Sequence, residues 1–164
     1  MKKIAIIPKV IQTYNNQFEL SVEENLIFFL KNTLKIKNFE ILFDNKLIKK
    51  YDIFISSGGN NILKYSNKRI DNLRNQNEKK ILDHCLRNNK KYLGLCYGAQ
   101  FLANYFNGKL KKKKNNKKKS FKIKIFKKLH NLKKNELISV NSFKNYIIED
   151  TPKNLIHYAI NRKN

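Results

Sequence analysis

The apolar residues of this chain fall in short blocks whose period changes along its length. Ile4 to Ile7 is a continuous apolar run closed by Pro8, which suits a strand buried on both faces. The polar stretch from Lys9 to Leu20 reads as a loop. Ser21 and Glu24 have the spacing of a capping box, in which hydroxyl and carboxylate each satisfy an orphan amide at a helix start. Val22, Leu26, Ile27, Leu30 and Leu34 then share one helical stripe. Two short β-forming runs follow, Phe39 to Phe43 and Tyr51 to Ser56, and the second leads straight into Ser57-Gly58-Gly59-Asn60-Asn61. After a polar stretch with little periodicity, Ile81, Leu82, Cys85 and Leu86 recur at helical spacing, and Lys90 to Leu95 reads as another strand. Phe101, Leu102, Tyr105 and Phe106 line a further helix that Asn107-Gly108 would end.

This alternation predicts an α/β fold with a mostly parallel central sheet flanked by helices. In such sheets ligands bind at the carboxyl ends of the strands, where Gly58-Gly59 and Cys96 both lie. Beyond Gly108 the character changes. From Ser120 to Phe126 lysine alternates with apolar residues in period two, a half-solvated pattern that predicts antiparallel hairpins in the C-terminal third. The low-complexity run Lys111 to Lys119 reads as an exposed turn. No internal repeat or Pro/Gly/Ser-rich linker divides the chain, so residues 1–164 are expected to form a single domain.

A formal charge of +24 raises the question of nucleic acid. The lysines, however, accompany a glut of asparagine and isoleucine and few arginines, the pattern of an AT-rich coding bias, and scarce arginine speaks against bidentate phosphate or base readout. Two cysteines, Cys85 and Cys96, give no disulfide framework and suggest a reducing compartment. The apolar run before Pro8 is too short for a signal peptide, and no run approaches the roughly 18 apolar residues of a membrane span. A cytoplasmic protein is the expectation.

The chemistry concentrates at Gly94-Leu95-Cys96-Tyr97-Gly98, between a strand and a helix. A nucleophile elbow of the form G-x-S-x-G needs glycines two before and two after the nucleophile, because the tight turn leaves no room for side chains there. Here cysteine stands in the place of serine. The helix behind it would aim its amide-rich end at the sulfur and favour thiolate over thiol. The alternative is a core cysteine in an ordinary strand-loop-helix join, and Cys85, on an apolar stripe with no glycine near it, is read that way.

With these residues in view, "YLGLCYGAQFLANYFNGKL" (Tyr92 to Leu110) closely resembles the nucleophile motif of class I, triad-type glutamine amidotransferases, G-[ILV]-C-x-G-x-Q followed by a helix and an N-G-[GK] turn. "ISSGGNN" resembles the family's S-G-G-[NP]-D segment, and "SVNSFKNY" (Ser139 to Tyr146) is similar to the V-N-S-[YF]-H-[HN] segment of the subgroup with γ-glutamyl-peptide hydrolases. The resemblance implies a flavodoxin-like three-layer fold. It implies that Cys96 attacks the glutamine side-chain amide to give a γ-glutamyl thioester and ammonia. The backbone amides of Gly59 and Tyr97 would form the oxyanion hole, and Gly58, Gln100, Ser142 and Phe143 would help hold glutamine or a γ-glutamyl substrate. No cofactor and no metal are implied, and the ammonia could pass to a synthase subunit or domain.

The departures are specific. Asn61 stands where the motif has aspartate, and Lys144 where the subgroup has histidine. The family's general base, a histidine in an H-P-[ET]-type segment with an acid two residues on, has no counterpart. The scattered His84, read on the polar side of its helix, His130 and His157 are not followed by that acid. The resemblance therefore implies a chain that stops before the catalytic His-x-Glu. Four readings stay open: a glutaminase domain, a non-catalytic homologue that binds glutamine or a partner, a γ-glutamyl-peptide hydrolase, and a basic nucleic-acid-binding module using Lys111 to Lys119.

Overall fold

In the computed structural model, all residues are described except 1, 15, 113–118, 129–130, 143–145, 151, 154, 157 and 162–164. The chain divides into two compact units, Met1–Leu102 and Ala103–Asn164.

The first unit is built on β1 (Ile4–Ile7), whose apolar residues alternate between two cores. Ala5 and Ile7 join Leu42, Tyr51, Phe54, Ile81 and Cys85 on one face, while Ile6 joins Leu30 and Ile55 on the other. A strand covered on both sides has no solvated face to keep polar, which is why it reads as an unbroken apolar run. β4 (Glu40–Ile41), β5 (Ile53–Ser56) and β6 (Lys91–Gly94) complete a parallel four-stranded sheet in the order β4-β1-β5-β6.

One face is covered by α1 (Glu24–Phe28), which continues as a π-helical turn over Phe29–Thr33 and buries Leu30, with Val22, Leu26 and Ile27 partly buried beside it. Three expectations need correction here. Ser21 makes no cap, because it is the last residue of a hairpin strand and pairs with Lys9; Glu23 takes the N-cap position without a side-chain bond. Leu34 is exposed rather than part of the stripe, since the helix ends and Lys35 turns left-handed at φ 56°. The stretch read as a loop is itself that antiparallel hairpin, β2 (Lys9–Tyr14) and β3 (Gln17–Ser21), with Asn16 at φ 64° in its turn. Asn60, fifty residues away, accepts from the Val10 amide (2.9 Å) and donates to the Val10 carbonyl (2.8 Å).

The other face is covered by α2 (Arg69–Arg87), a 19-residue helix of which the apolar periodicity announces only the last turns. Its inward stripe begins with polar residues, Asp71, Arg74, Asn75 and Glu78, and continues with Ile81, Leu82 and Cys85. α3 (Tyr97–Tyr105) follows β6 and closes at Asn107, φ 66°, with the Gly108 amide donating to the Ala103 carbonyl at 2.7 Å.

The second unit holds antiparallel strands, as its period-two pattern predicts. β7 (Leu110–Lys112) pairs with β10 (Tyr146–Ile148). β8 (Lys119–Ile125) lies between β9 (Leu137–Ser142) and β11 (Ala159–Asn161). Ile125 is buried while Lys122 is exposed, the alternation read in the sequence. Lys111 and Lys112 belong to β7 and Lys119 to β8 rather than to a turn; residues 113–118 lie outside the described residues.

Candidate active site

At the carboxyl end of β6 the chain has no room to spare. A Cβ on Gly94 would lie 2.4 Å from the Gly98 carbonyl carbon and 2.6 Å from the Ala99 nitrogen, and one on Gly98 would lie 2.5 Å from Ser56 Oγ. Real side chains do not make such contacts, so both positions are held to glycine by the packing of α3 onto the sheet. Between them Cys96 adopts φ 53°, a left-handed conformation that opposes an L side chain by about 1–2 kcal/mol. The turn is held by the Leu95 amide donating to the Ser56 carbonyl (3.0 Å) and the Gly98 amide donating to the Leu95 carbonyl (3.0 Å). This strained backbone lifts the Cys96 side chain to an exposed position at the start of a nine-residue helix.

The loop after β5 passes alongside. A Cβ on Gly58 would meet Cys96 Cβ at 3.5 Å and Sγ at 3.9 Å, so the Gly58 backbone flanks the sulfur. Gly59 has φ 120° and packs against the aliphatic part of Lys9, whose Cβ would be 2.8 Å from any Cβ there. Asp71 organises the rest of the loop, accepting from the Asn61 amide (2.8 Å), from the Asn60 and Asn61 side chains (3.2 Å each) and from the Ser66 hydroxyl. Burial works against its charge, but the hydrogen bonds from Ser66, Asn61 and Asn60 outweigh it and hold the carboxyl below the usual carboxylate range. Asn61, the departure from the motif's aspartate, thus serves as a donor to Asp71.

Cys96, Gly58, Gly59 and Tyr97 are therefore brought together in the first unit. Tyr97 is buried and stacks on Phe101 with centroids 6.1 Å apart. Gln100, one turn into α3, is only 7% exposed, and its amide donates to the Cys96 carbonyl (3.1 Å). Ser142 ends β9 in the second unit; Phe143 and Lys144 lie outside the described residues.

Cys85, the other cysteine, is buried against the sheet, and desolvation together with the Glu78 charge pushes its thiol up to about 12. His84 corrects the sequence reading. It is 8% exposed, not on a polar face, and packs edge-on to Phe54. Burial, then the charges of Lys90, Arg87 and Lys49, lower its pKa. It also lies at the wrong end of the sheet: α2 runs from the strand ends at Ser56 back to the start of β6, where the Lys90 amide donates to the Cys85 carbonyl. His130 and His157 lie outside the described residues. Among the described residues, no group of three His, Cys, Asp or Glu could hold a metal ion, and no helix is long and apolar enough to cross a membrane.

The residues that the sequence reading missed are Asp71, Arg74 and Glu78. A signal was present, because they continue the spacing of Ile81, Leu82 and Cys85 towards the amino end of the helix. The stripe was hidden by its polarity.

Comparison with known proteins bears on this arrangement. The family model for class-I glutamine amidotransferases matches residues 16–164. A curated relative from Campylobacter jejuni, a gamma-glutamyl-CDP-amidate hydrolase, is 33% identical over 110 residues, covering 67% of this chain and 50% of the relative. The chain thus spans about half the length of that relative. Among solved structures, a candidate GMP synthase subunit from Thermoplasma acidophilum matches with a TM-score of 0.71 at 18% identity, over 99% of this chain and 74% of that one. A glutamine amidotransferase from Thermotoga maritima matches with a TM-score of 0.67 at 16% identity, over 96% and 66%. At these identities the structural likeness establishes the fold.

Proposed function

The chain belongs to the class-I glutamine amidotransferase family, and from that premise we propose that it cleaves γ-glutamyl amides with Cys96 as nucleophile. The observation that carries this reading is an exposed cysteine at φ 53° between two sterically obligatory glycines, with Gly58 against its flank. The sulfur attacks the side-chain amide carbon, and the negative charge that develops on the carbonyl oxygen is met by the amides of Tyr97 and Gly59. The carbon–nitrogen bond breaks, the nitrogen leaves with a proton, and water releases glutamate from the thioester. Gly58 forms one wall for the substrate and Gln100 supports the floor. A reducing cytoplasm suits a mechanism that needs a thiol.

Two fates of the nitrogen are open to this chemistry. In the first the substrate is glutamine and the ammonia passes to a synthase partner. The second is favoured by the curated relative, a hydrolase of a γ-glutamyl amidate: the nitrogen leaves as part of a larger amine or amidate and no partner is needed. Glutamate release is measured on glutamine and on a panel of γ-glutamyl amides, with the wild-type protein and Cys96→Ser. Activity lost by at least about 100-fold in the variant is expected. Equal activity in the two proteins removes Cys96 from the mechanism, and the preferred substrate separates the two fates.

A further inference from the structure

Arg74 is 1% exposed, and its single guanidinium reaches the ends of β1 and β5 and the Tyr97 ring beside the candidate site. Nη1 donates to the Ile7 carbonyl at the end of β1 (3.2 Å). Nη2 donates to Ser56 Oγ (2.9 Å) and to the Ser57 carbonyl (3.4 Å), at the end of β5 and immediately before Gly58. The Ser56 side chain is the atom group that bars a Cβ at Gly98, so it sets how closely α3 approaches the sheet. The guanidinium Cζ lies over the Tyr97 ring, 5.0 Å from its centroid. Nε pairs with Glu78 Oε2 at 2.8 Å, and the other Glu78 oxygen accepts from the Tyr92 hydroxyl (2.6 Å), two residues before Gly94.

Such an arrangement is poor economy if stability were its purpose, since an apolar pair of similar volume would avoid the desolvation of two buried charges. A planar fork with five donors, however, can reach two strand ends and an aromatic face at once, which no apolar side chain and no lysine can do. The two segments it joins are the ones that flank the thiol, the Gly58 loop through the Ser57 carbonyl and the Cys96 turn through Ser56 and Tyr97. We propose that Arg74 is a positioning residue that sets the distance between the Gly59 and Tyr97 amides, with Glu78 holding the guanidinium in its plane and tying β6 to the same group. This rests on the proposed γ-glutamyl chemistry for its kinetic consequence, though not for its structural one.

The test compares Arg74→Lys, which keeps the charge and loses the fork, with Ser56→Ala, which removes one acceptor at almost constant volume. Three quantities are read: kcat and KM on the preferred γ-glutamyl amide, the rate at which iodoacetamide alkylates Cys96, and hydrogen exchange of residues 57–59 and 96–98. Alkylation develops no oxyanion, so it should be insensitive to the spacing of the two amides. For Arg74→Lys the expected result is a kcat lower by about 100-fold with KM nearly unchanged. Alkylation within about threefold of wild type and faster exchange confined to the two segments should accompany it. Ser56→Ala should lose less, and the double variant should lose no more than Arg74→Lys alone, because the contact that Ser56→Ala removes is one of those that Arg74→Lys already loses.

Alkylation that falls in parallel with kcat, exchange that rises throughout the first unit, or a kcat close to wild type would each overturn the proposal. If Arg74→Lys does not fold, Ser56→Ala decides it by the same three readouts. Should the wild-type protein turn over no γ-glutamyl amide, the activity reading fails on its own, and the exchange pattern still decides whether Arg74 couples the two segments.

Discussion

Replacing Gly94 with alanine should unfold the first unit more readily than any other single methyl added near the site. The new Cβ would lie 2.4 Å from the Gly98 carbonyl carbon, 2.5 Å from its oxygen and 2.6 Å from the Ala99 nitrogen. All three are backbone atoms in the first turn of α3, so no side chain can rotate out of the way and either the helix or the strand must move. Overpacking of this kind costs about 1–3 kcal/mol and falls at the upper end when backbone has to shift. At roughly 2–4 °C per kcal/mol for a chain of this size, a loss of about 3 kcal/mol lowers Tm by about 6–12 °C. Gly58→Ala is the control, because its Cβ would make ordinary contacts at 3.5 and 3.9 Å with Cys96 and should shift Tm by less than about 2 °C. The chain has two compact units, so the assay should report on the first alone. Cys85 provides the reporter, since it is buried against Phe54 and Ile81 and becomes accessible to a thiol reagent only when that core opens. In a Cys96→Ser background, labelling of Cys85 against temperature gives the unfolding curve of the first unit. A Gly94→Ala curve within about 2 °C of the parent would refute the steric account of the turn, whatever the activity of the protein.

Cys96 sits at φ 53°, so Cys96→Gly should be more stable than Cys96→Ala by about 1 kcal/mol, the reverse of their order in an ordinary helix; urea unfolding measures the difference. In the native protein at pH 8, iodoacetamide followed by mass spectrometry should modify Cys96 and spare Cys85, whose thiol is buried and pushed up to about 12. Asp71→Asn should destabilise the first unit by about 2–3 kcal/mol at pH 7 through loss of charge-assisted hydrogen bonds from Asn60, Asn61 and Ser66. Because the Asp71 carboxyl is held below its ordinary range, this contribution is fully present above that range and disappears as the pH falls through the folded value. Wild type and variant should therefore stay apart in urea melts at about pH 4 and converge only as the pH falls below it through the folded value, and a gap that does not narrow over that fall would show that the carboxylate charge is not what stabilises the loop.

The strand-turn-helix at Cys96 was legible in the sequence because the residues that mark it are local, although the side chain that bars a Cβ at Gly98 is that of Ser56. Gly94, Cys96 and Gly98 lie within five residues, and the steric demand of the turn falls on those same residues. The buried strands were equally plain, since Ile4 to Ile7 and Ile53 to Ile55 are apolar on both faces for the reason that both faces are covered. The alternation from Ser120 to Phe126 likewise carried its own evidence of a half-solvated strand. What remained hidden depended on partners far along the chain. The hairpin of Lys9 to Ser21 looks like a loop until Asn60 clamps Val10, and the capping box at Ser21 fails because that residue is already engaged in the hairpin. The first turns of α2 look solvated because polar residues normally are. Only the tertiary structure supplies Arg74 with the carbonyls of Ile7 and Ser57 and the hydroxyl of Ser56, and Asp71 with its asparagines. A buried polar group is stable only where its partners stand. Sequence alone therefore determined the apolar framework and the turn at Cys96, while the polar stripe that joins them was decided by distances between residues up to 67 positions apart.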